Sequence, residues 1–339
     1  MSRPQPLAAP AADAPLPLLL IGFNRPSQMR GLLDHLAAVF TQPPPLYIAI
    51  DGPRSNRPTD SETVQQVRQI VRTHPFARNA HLLLRERNLG CRKGVVGAID
   101  WFFSAVPEGI ILEDDIRPSP DFFPFAKACL DRWRGEPRLG IVSAHSRYFF
   151  QSRREDSYAF TSSAAIWGWA ATREVWGLYD STLERVRDRL PEYRANLRRT
   201  RFGRYFDQML QAVLDQRLDT WDVQLQVVLD LAGRLSIRPA RNLAANTGAA
   251  APDATHTAAY DYESHTYAVA SRLDFPLRHP PCLERDRRAD ALYARRASGL
   301  LTRGLCALGP RLARWPRLLR AVDRLFHRLE RLLPALFRL

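Results

Sequence analysis

Three adjacent carboxylates, Glu113, Asp114 and Asp115, follow directly on Ile110, Ile111 and Leu112. The aliphatic run reads as a short strand buried on both faces. Pro118 and Pro120 keep a helix from starting at once. The acids are therefore expected on the turn at the strand's carboxyl end, where open α/β sheets bind their ligands. Acids this close repel one another unless a cation or hydrogen-bond donors compensate. Hard oxygen ligands of this kind suit Mg²⁺ or Mn²⁺ shared with a diphosphate. The alternative is a solvated acidic loop or a helix cap.

Other stretches suit the same chemistry, each with a structural alternative. Asp51 ends a second apolar run before Gly52-Pro53 and could accept from a base or ribose, or simply make a β-turn. Asn88-Leu-Gly-Cys-Arg-Lys-Gly94 offers backbone amides with Arg92 and Lys93 near an expected helix start, a ready anion site. His256 could complete a metal shell or be an ordinary loop residue. Asp222, after Trp221, could be a positioned base or an acid meeting a helix dipole. Trp167 and Trp169, in a glycine-containing loop, could stack on a sugar face or pack in a core.

These residues need a frame. Strands are expected at Leu16–Asn24, Leu46–Asp51, His81–Leu84, Ile110–Leu112, Leu139–Ala144 and Leu235–Ile237. Helical patterns fall between them: from Pro26 through Val39, near Ser61–Arg72, at Val95–Phe103 and at Phe122–Trp133. Further helical patterns lie near 172–179, 181–198, 204–217 and 221–233. Alternation of this kind predicts an α/β fold with a mostly parallel central sheet and helices on both faces. Residues 1–15 are Pro/Ala-rich and expected to be disordered. The main domain is expected over 16–281, in two halves at 16–146 and 147–281, because the strand–helix rhythm changes beyond Ser146. Residues 282–300 are charged and read as a linker.

The chain has 339 residues, 45% hydrophobic and 25% charged, the composition of a soluble globular protein. Its net charge of +14 is uneven: residues 301–339 hold nine Arg against Asp323 and Glu330, so +7 sits there. No zinc-finger, RRM or KH signature accompanies that charge, which argues against nucleic acid as a partner. Four scattered cysteines form no CxxC pair and suit a reducing compartment. With no signal-peptide pattern, a cytoplasmic location is expected.

From Pro316, Leu318, Val322, Leu325, Leu329 and Leu332 alternate at four and three residues, with arginines in the complementary positions. This predicts an amphipathic helix suited to an anionic membrane surface, on the inner face of the membrane. The alternatives are docking on the protein's own core or pairing with a second copy.

Taken in order, Phe23-Asn-Arg-Pro26, Asp51-Gly-Pro-Arg54, Asn88-Leu-Gly-Cys91, Glu113-Asp-Asp115, Trp167-Gly-Trp169, Trp221-Asp222, Asn242-Leu243 and Thr255-His-Thr257 resemble the GT-A glycosyltransferases. The likeness is to the N-acetylglucosaminyltransferase I group and its bacterial relatives, over roughly residues 16–260. It implies a GT-A, Rossmann-like fold that binds a nucleotide-diphospho-sugar, most simply UDP-linked, and a glycan or glycoconjugate acceptor. It also implies that Asp114 touches ribose, Asp115 and His256 ligate Mn²⁺ or Mg²⁺, and Asp51 binds the uracil side. Arg25, Asn88, Arg92, Lys93, Trp167 and Trp169 fall on the donor side, and Asp222 is the expected catalytic base. One departure is Leu225, which stands where a second Trp is expected. A nucleotidyltransferase of similar fold and an inactive, membrane-attached sugar-binding protein are the alternatives.

Overall fold

Successive residues of the central strands point into two different apolar layers, and this alternation builds the molecule. The computed structural model describes residues 14–146, 156–248 and 270–291. It begins β1 (Leu18–Gly22), α1 (Pro26–Val39), β2 (Leu46–Ile50), α2 (Pro58–Thr73), β3 (His81–Leu84), α3 (Gly90–Ala105) and β4 (Glu108–Glu113). Next come β5 (Ile116–Pro118), α4 (Phe122–Arg132), β6 (Leu139–Ser143), β7 (Tyr158–Thr161), β8 (Trp169–Thr172) and α5 (Arg173–Trp176). The remainder is α6 (Leu190–Leu197), α7 (Arg201–Leu214), α8 (Asp222–Leu231), β9 (Leu235–Pro239) and β10 (Ala244–Asn246).

Eight strands form one sheet in the order β3-β2-β1-β4-β8-β6-β9-β7. β3, β2, β1 and β4 are parallel, β8 runs against both β4 and β6, and β7 runs against β9. All the others share one direction, so the sheet is mixed but mostly parallel. On one face Leu18, Leu20, Ile48, Ile50, Ile110 and Leu112 pack with Met29, Leu32, Val64 and Phe122 of α1, α2 and α4. On the other, Leu19, Tyr47, Ala49, Ile111 and Trp169 pack with Ile99, Phe102, Leu210 and Val227 of α3, α7 and α8. Each large side chain so buried contributes about 1.5–3 kcal/mol. Pro26 and Pro58 sit in the first turns of α1 and α2, where a missing N–H costs nothing.

The structure departs from the sequence expectations at several points. Glu113 is the last residue of β4 rather than part of the turn, because it continues the pairing with Ile21. α3 starts at Gly90, so Arg92, Lys93 and Gly94 lie inside the helix and not in a loop before it. β7 was not anticipated, and it closes one edge of the sheet beside β9. Residues 283–290, expected within a linker, dock on that edge: Leu283 is 1% exposed, and the Asp286 amide donates to Phe160 O at 2.8 Å.

Residues 1–13, His256 and the basic tail 301–339 lie outside the described residues. Among the described residues no helix is long and apolar enough to cross a membrane.

Candidate functional site

β2, β1 and β4 lie side by side and run the same way. Their carboxyl ends therefore deliver Asp51–Arg54, Phe23–Arg25 and Glu113–Asp115 to one rim of the sheet. Arg25 stands just before α1, held there by Pro26. Its guanidinium forks across two acids, with Nη2 donating to Asp114 Oδ1 and Nη1 to Asp115 Oδ2 at 3.0 Å. Asp114 is 1% exposed, and its Oδ2 has no hydrogen-bond partner among the described residues. Burial pushes the Asp114 carboxyl up to about 7, against the pull of Arg25. Burial, then the charges of Asp115 and Asp114, pushes Glu113 up to about 8.

A second ribbon covers Asp115. β10 pairs antiparallel with β5, setting Asn246 opposite Ile116. The next residue, Thr247, donates its amide to Asp115 O at 2.8 Å. Gly248 follows, and a Cβ there would lie 2.2 Å from Asp115 Oδ2, so only glycine allows this approach. Gln28 of α1 ties the ribbon down: it accepts from Thr247 Oγ1 at 2.7 Å and from Arg117 Nη2 at 3.0 Å.

Asp51 is committed to the neighbouring turn. Its oxygens accept from the amides of Gly52 (3.0 Å) and Leu89 (3.1 and 3.0 Å) and from Asn88 Nδ2 (3.0 Å). Asn88 Oδ1 in turn accepts the Gly90 amide at 3.0 Å. Both residues thus shape the entry to α3, and burial raises the Asp51 carboxyl despite these donors.

The amino end of α3 already meets an anion of the protein itself. Asp219 Oδ2 accepts the Cys91 amide at 2.9 Å, and its Oδ1 lies 3.9 Å from Arg92 Nε. The Asp219 side chain is 56% exposed, which leaves this contact open to water. Lys93 is exposed one residue further on.

Asp222 opens α8, and Thr220 Oγ1 donates to its Oδ1. It lies within electrostatic reach of Glu113 and Cys91: burial, then Glu113, Asp219 and Asp222, pushes the Cys91 thiol up to about 12. Tyr179 borders the same space, with a buried hydroxyl that has no partner among the described residues. The rim thus carries Glu113 on the sheet side and Asp222 on the helix side.

The two tryptophans part company. Trp167 is half-buried, its ring 4.4 Å from that of His145, at the mouth of β8. Trp169, expected in the same loop to stack on a sugar or pack in a core, is the first residue of β8 and 1% exposed. Gly168 between them takes φ +73°, and this turn sends the second indole into the core. Sugar stacking is therefore closed to Trp169, while Trp167 packs beside His145 against the first core layer.

The sequence reading did not single out Asp219, Thr220, Tyr179, Gln28 or Arg117. Thr220 alone had a local signal, as a small polar residue just before a helical acid. Asp219, Tyr179 and Gln28 meet the site only through contacts made across the fold, whereas Arg117, two residues after Asp115, also donates to the Asp114 carbonyl at 2.7 Å.

The residues present suit a hard divalent cation in part. Asp115 Oδ1 accepts no hydrogen bond from the described residues, and Asp114 Oδ2 is orphaned and buried. Among the described residues no three His, Cys, Asp or Glu side chains converge as a closed metal cage. Mg²⁺ and Mn²⁺ sites of this class are commonly completed by substrate phosphates and water.

No protein-family profile and no curated protein sequence matches the chain. Solved structures align with part of it, two of which serve as examples. HddC from Yersinia pseudotuberculosis is 9% identical, with a TM-score of 0.28, over 47% of this chain and 77% of that one. WbbM, a bifunctional glycosyltransferase in its apo form, is 9% identical, with a TM-score of 0.31, over 67% of this chain and 39% of that one.

Proposed function

We propose that this protein transfers a sugar from a nucleotide-diphospho-sugar to an acceptor hydroxyl. The observation that carries the reading is the shared rim, where Arg25, Asp114 and Asp115 stand at adjacent strand ends with Asp222 within electrostatic reach of Glu113. The donor is taken to be UDP-linked, as the resemblance to the N-acetylglucosaminyltransferase I group implies.

In this reading Asp114, buried and with one oxygen unpaired, accepts from a ribose hydroxyl. Arg25 presents a planar pair of donors suited to a diphosphate. Asp115, joined by His256, would hold Mg²⁺ or Mn²⁺, which when bound neutralises charge on the departing diphosphate. Trp167, half-buried, is the indole left to offer a sugar an aromatic face. Asp222, oriented by Thr220, takes the acceptor proton as general base. One positioned base, with no second placed nucleophile among the described residues, favours direct displacement with inversion. The arginine-rich tail 301–339 adds attachment to an anionic membrane surface.

A thermal-shift screen of nucleotide sugars with and without Mn²⁺ tests the reading, because a ligand that binds only the folded state raises its stability. Stabilisation by a nucleotide sugar, with release of nucleoside diphosphate on adding an acceptor, is expected. Stabilisation by nucleoside triphosphate alone would mark nucleotidyl transfer instead. Binding with no transfer or hydrolysis would mark an inactive sugar-binding protein.

A further inference from the structure

We propose that α6 and the start of α7 form a docking face for an anionic lipid surface, at the end of the sheet opposite the rim. The inference rests on reading the tail 301–339 as membrane-directed, and it adds a face of the folded domain to that reading.

Charge singles out this face. Residues 184–207 hold eight Arg against Glu184, Asp188, Glu192 and Asp207, a net +4. With the tail's +7, these two stretches carry +11 of the chain's +14, so the remainder is close to neutral. Asp207 is shared: Arg194 Nε donates to its Oδ1 at 2.5 Å and Arg198 Nε to its Oδ2 at 2.6 Å. One carboxylate thus serves two guanidiniums and leaves a positive charge over. Arg189, Arg199 and Arg204 are exposed and form no ion pair among the described residues. α7 turns Leu210 and Val213 into the core and leaves Arg204, Tyr205 and Gln208 outside. Tyr205 is 54% exposed, the most exposed large apolar side chain among the described residues. An aromatic ring with a polar tip, set among arginines, suits the headgroup level of a bilayer. The tail repeats that chemistry in its sequence, with leucines flanked by arginines.

The fold brings this face to where the described chain ends, short of the tail. α8 starts at Asp222 and ends at Leu231, just before β9 begins at Leu235. β9 runs with the parallel strands, so Asp230 lies at their amino ends, away from the rim. Tyr193 of α6 donates to Asp230 there at 2.7 Å. Arg285 and Asp290 of the docked segment lie within electrostatic reach of the same carboxylate. The described chain thus runs to Ala291 beside the start of α6, and the basic tail begins ten residues on. Ten residues reach at most about 33–36 Å, enough for tail and face to meet one surface together. Binding of either makes binding of the other intramolecular, so two weak contacts hold where one does not. On such a surface the rim points away from the lipid and stays open to water.

The test is cosedimentation of the intact protein with vesicles of mixed phosphatidylglycerol and phosphatidylcholine, against vesicles of phosphatidylcholine alone. Wild-type protein should bind only the anionic vesicles, and less as salt rises. Arg199→Gln with Arg204→Gln, shown folded by circular dichroism, should bind about 10- to 30-fold more weakly at low salt, the worth of two arginines near such a surface. Arg30→Gln with Arg57→Gln makes the same charge change at exposed positions of the rim end and should bind as wild type does. Tyr205→Ser should weaken binding by a factor that persists at high salt, and it decides the matter if the Arg199/Arg204 variant does not fold. Equal binding by wild type and the Arg199/Arg204 variant overturns the proposal while leaving the tail reading intact. So does an equal loss in the Arg30/Arg57 variant, which reduces the effect to net charge. If the Arg199/Arg204 variant loses affinity for duplex DNA rather than for vesicles, the face belongs to nucleic acid and the proposal falls. Wild-type protein that ignores anionic vesicles overturns both the face and the tail reading.

Discussion

The indole of Trp169 lies 5.9 Å from that of Trp221, with the two rings 27° from parallel. Trp169 opens β8 in register with Ile111 of β4, and Trp221 is the residue before Asp222. Trp176 packs against both, at 6.2 and 6.5 Å. The strand that ends in Glu113 and the helix that begins with Asp222 are thereby fixed to each other through aromatic rings. What looked like ligand-binding aromatic surface is the mount for the candidate base.

Trp169→Ala should therefore act on stability first. A buried aromatic truncated to alanine costs about 3–5 kcal/mol, and urea unfolding monitored by circular dichroism should show a loss of that size. Trp167→Ala, at a half-buried position, should cost less than half as much but weaken sugar-nucleotide binding. Equal stability losses for the two would contradict the assignment.

Asp222→Asn should preserve the fold and donor affinity while lowering turnover by about 10²–10⁴-fold, the usual worth of a positioned base. Steady-state kinetics with a matched donor and acceptor checks this, beside a donor titration. Near-normal turnover would place the base elsewhere.

Truncation should separate the two parts of the carboxyl-terminal region. Removing residues 301–339 should leave a folded protein that no longer sediments with anionic vesicles. Each arginine near such a surface contributes about 1 kcal/mol, screened by salt. Ending the chain at residue 281 should lower the melting temperature, since it deletes buried Leu283 and the Asp290 carboxylate that accepts from Ser162. A stable protein ending at 281 would show that the docked segment contributes nothing.

Asp230 carries a pH dependence away from the site. It accepts from Tyr193 Oη at 2.7 Å and Gln226 Nε2 at 2.9 Å, yet burial pushes its carboxyl up to about 7. A raised carboxyl holds its proton more tightly folded than unfolded. Its contribution is therefore present below the ordinary carboxylate range and lost as pH climbs towards about 7. Thermal melts of wild type and Asp230→Asn between pH 4 and 8, a window of roughly that span, should diverge accordingly. Wild type should lose ground as pH rises and level off above the transition. Parallel curves would remove Asp230 as the source.

Much of this arrangement was legible in the chain, for definite reasons. Leu18–Gly22, Leu46–Ile50 and the run before Glu113 are buried on both faces, so they appear as unbroken apolar stretches. The acids that end them are local to those stretches. Trp169 misled because Gly168 marks a loop and β8 is only four residues long. The start of α3 misled because Gly90, at φ +82°, looks like the middle of a glycine loop. Asp219 meets Cys91 across 128 residues, a contact no spacing rule encodes. Residues 283–290 looked like a solvated linker because Arg285, Asp286, Arg287, Arg288 and Asp290 crowd them. Asp290 in fact turns inward, to Ser162 and Arg285.

The cover that Thr247 and Gly248 place over Asp115 also sets a timetable for the newborn chain. Thr247 follows Asp115 by 132 residues, and ribosomes add about 5–20 residues per second. The acids are thus synthesised about 7–26 seconds before their cover. Arg25, made earlier still, is the partner available to them through that interval. A nascent chain stalled short of Gly248 would hold the rim without its lid, and the finished pocket arises only once the second half has come home.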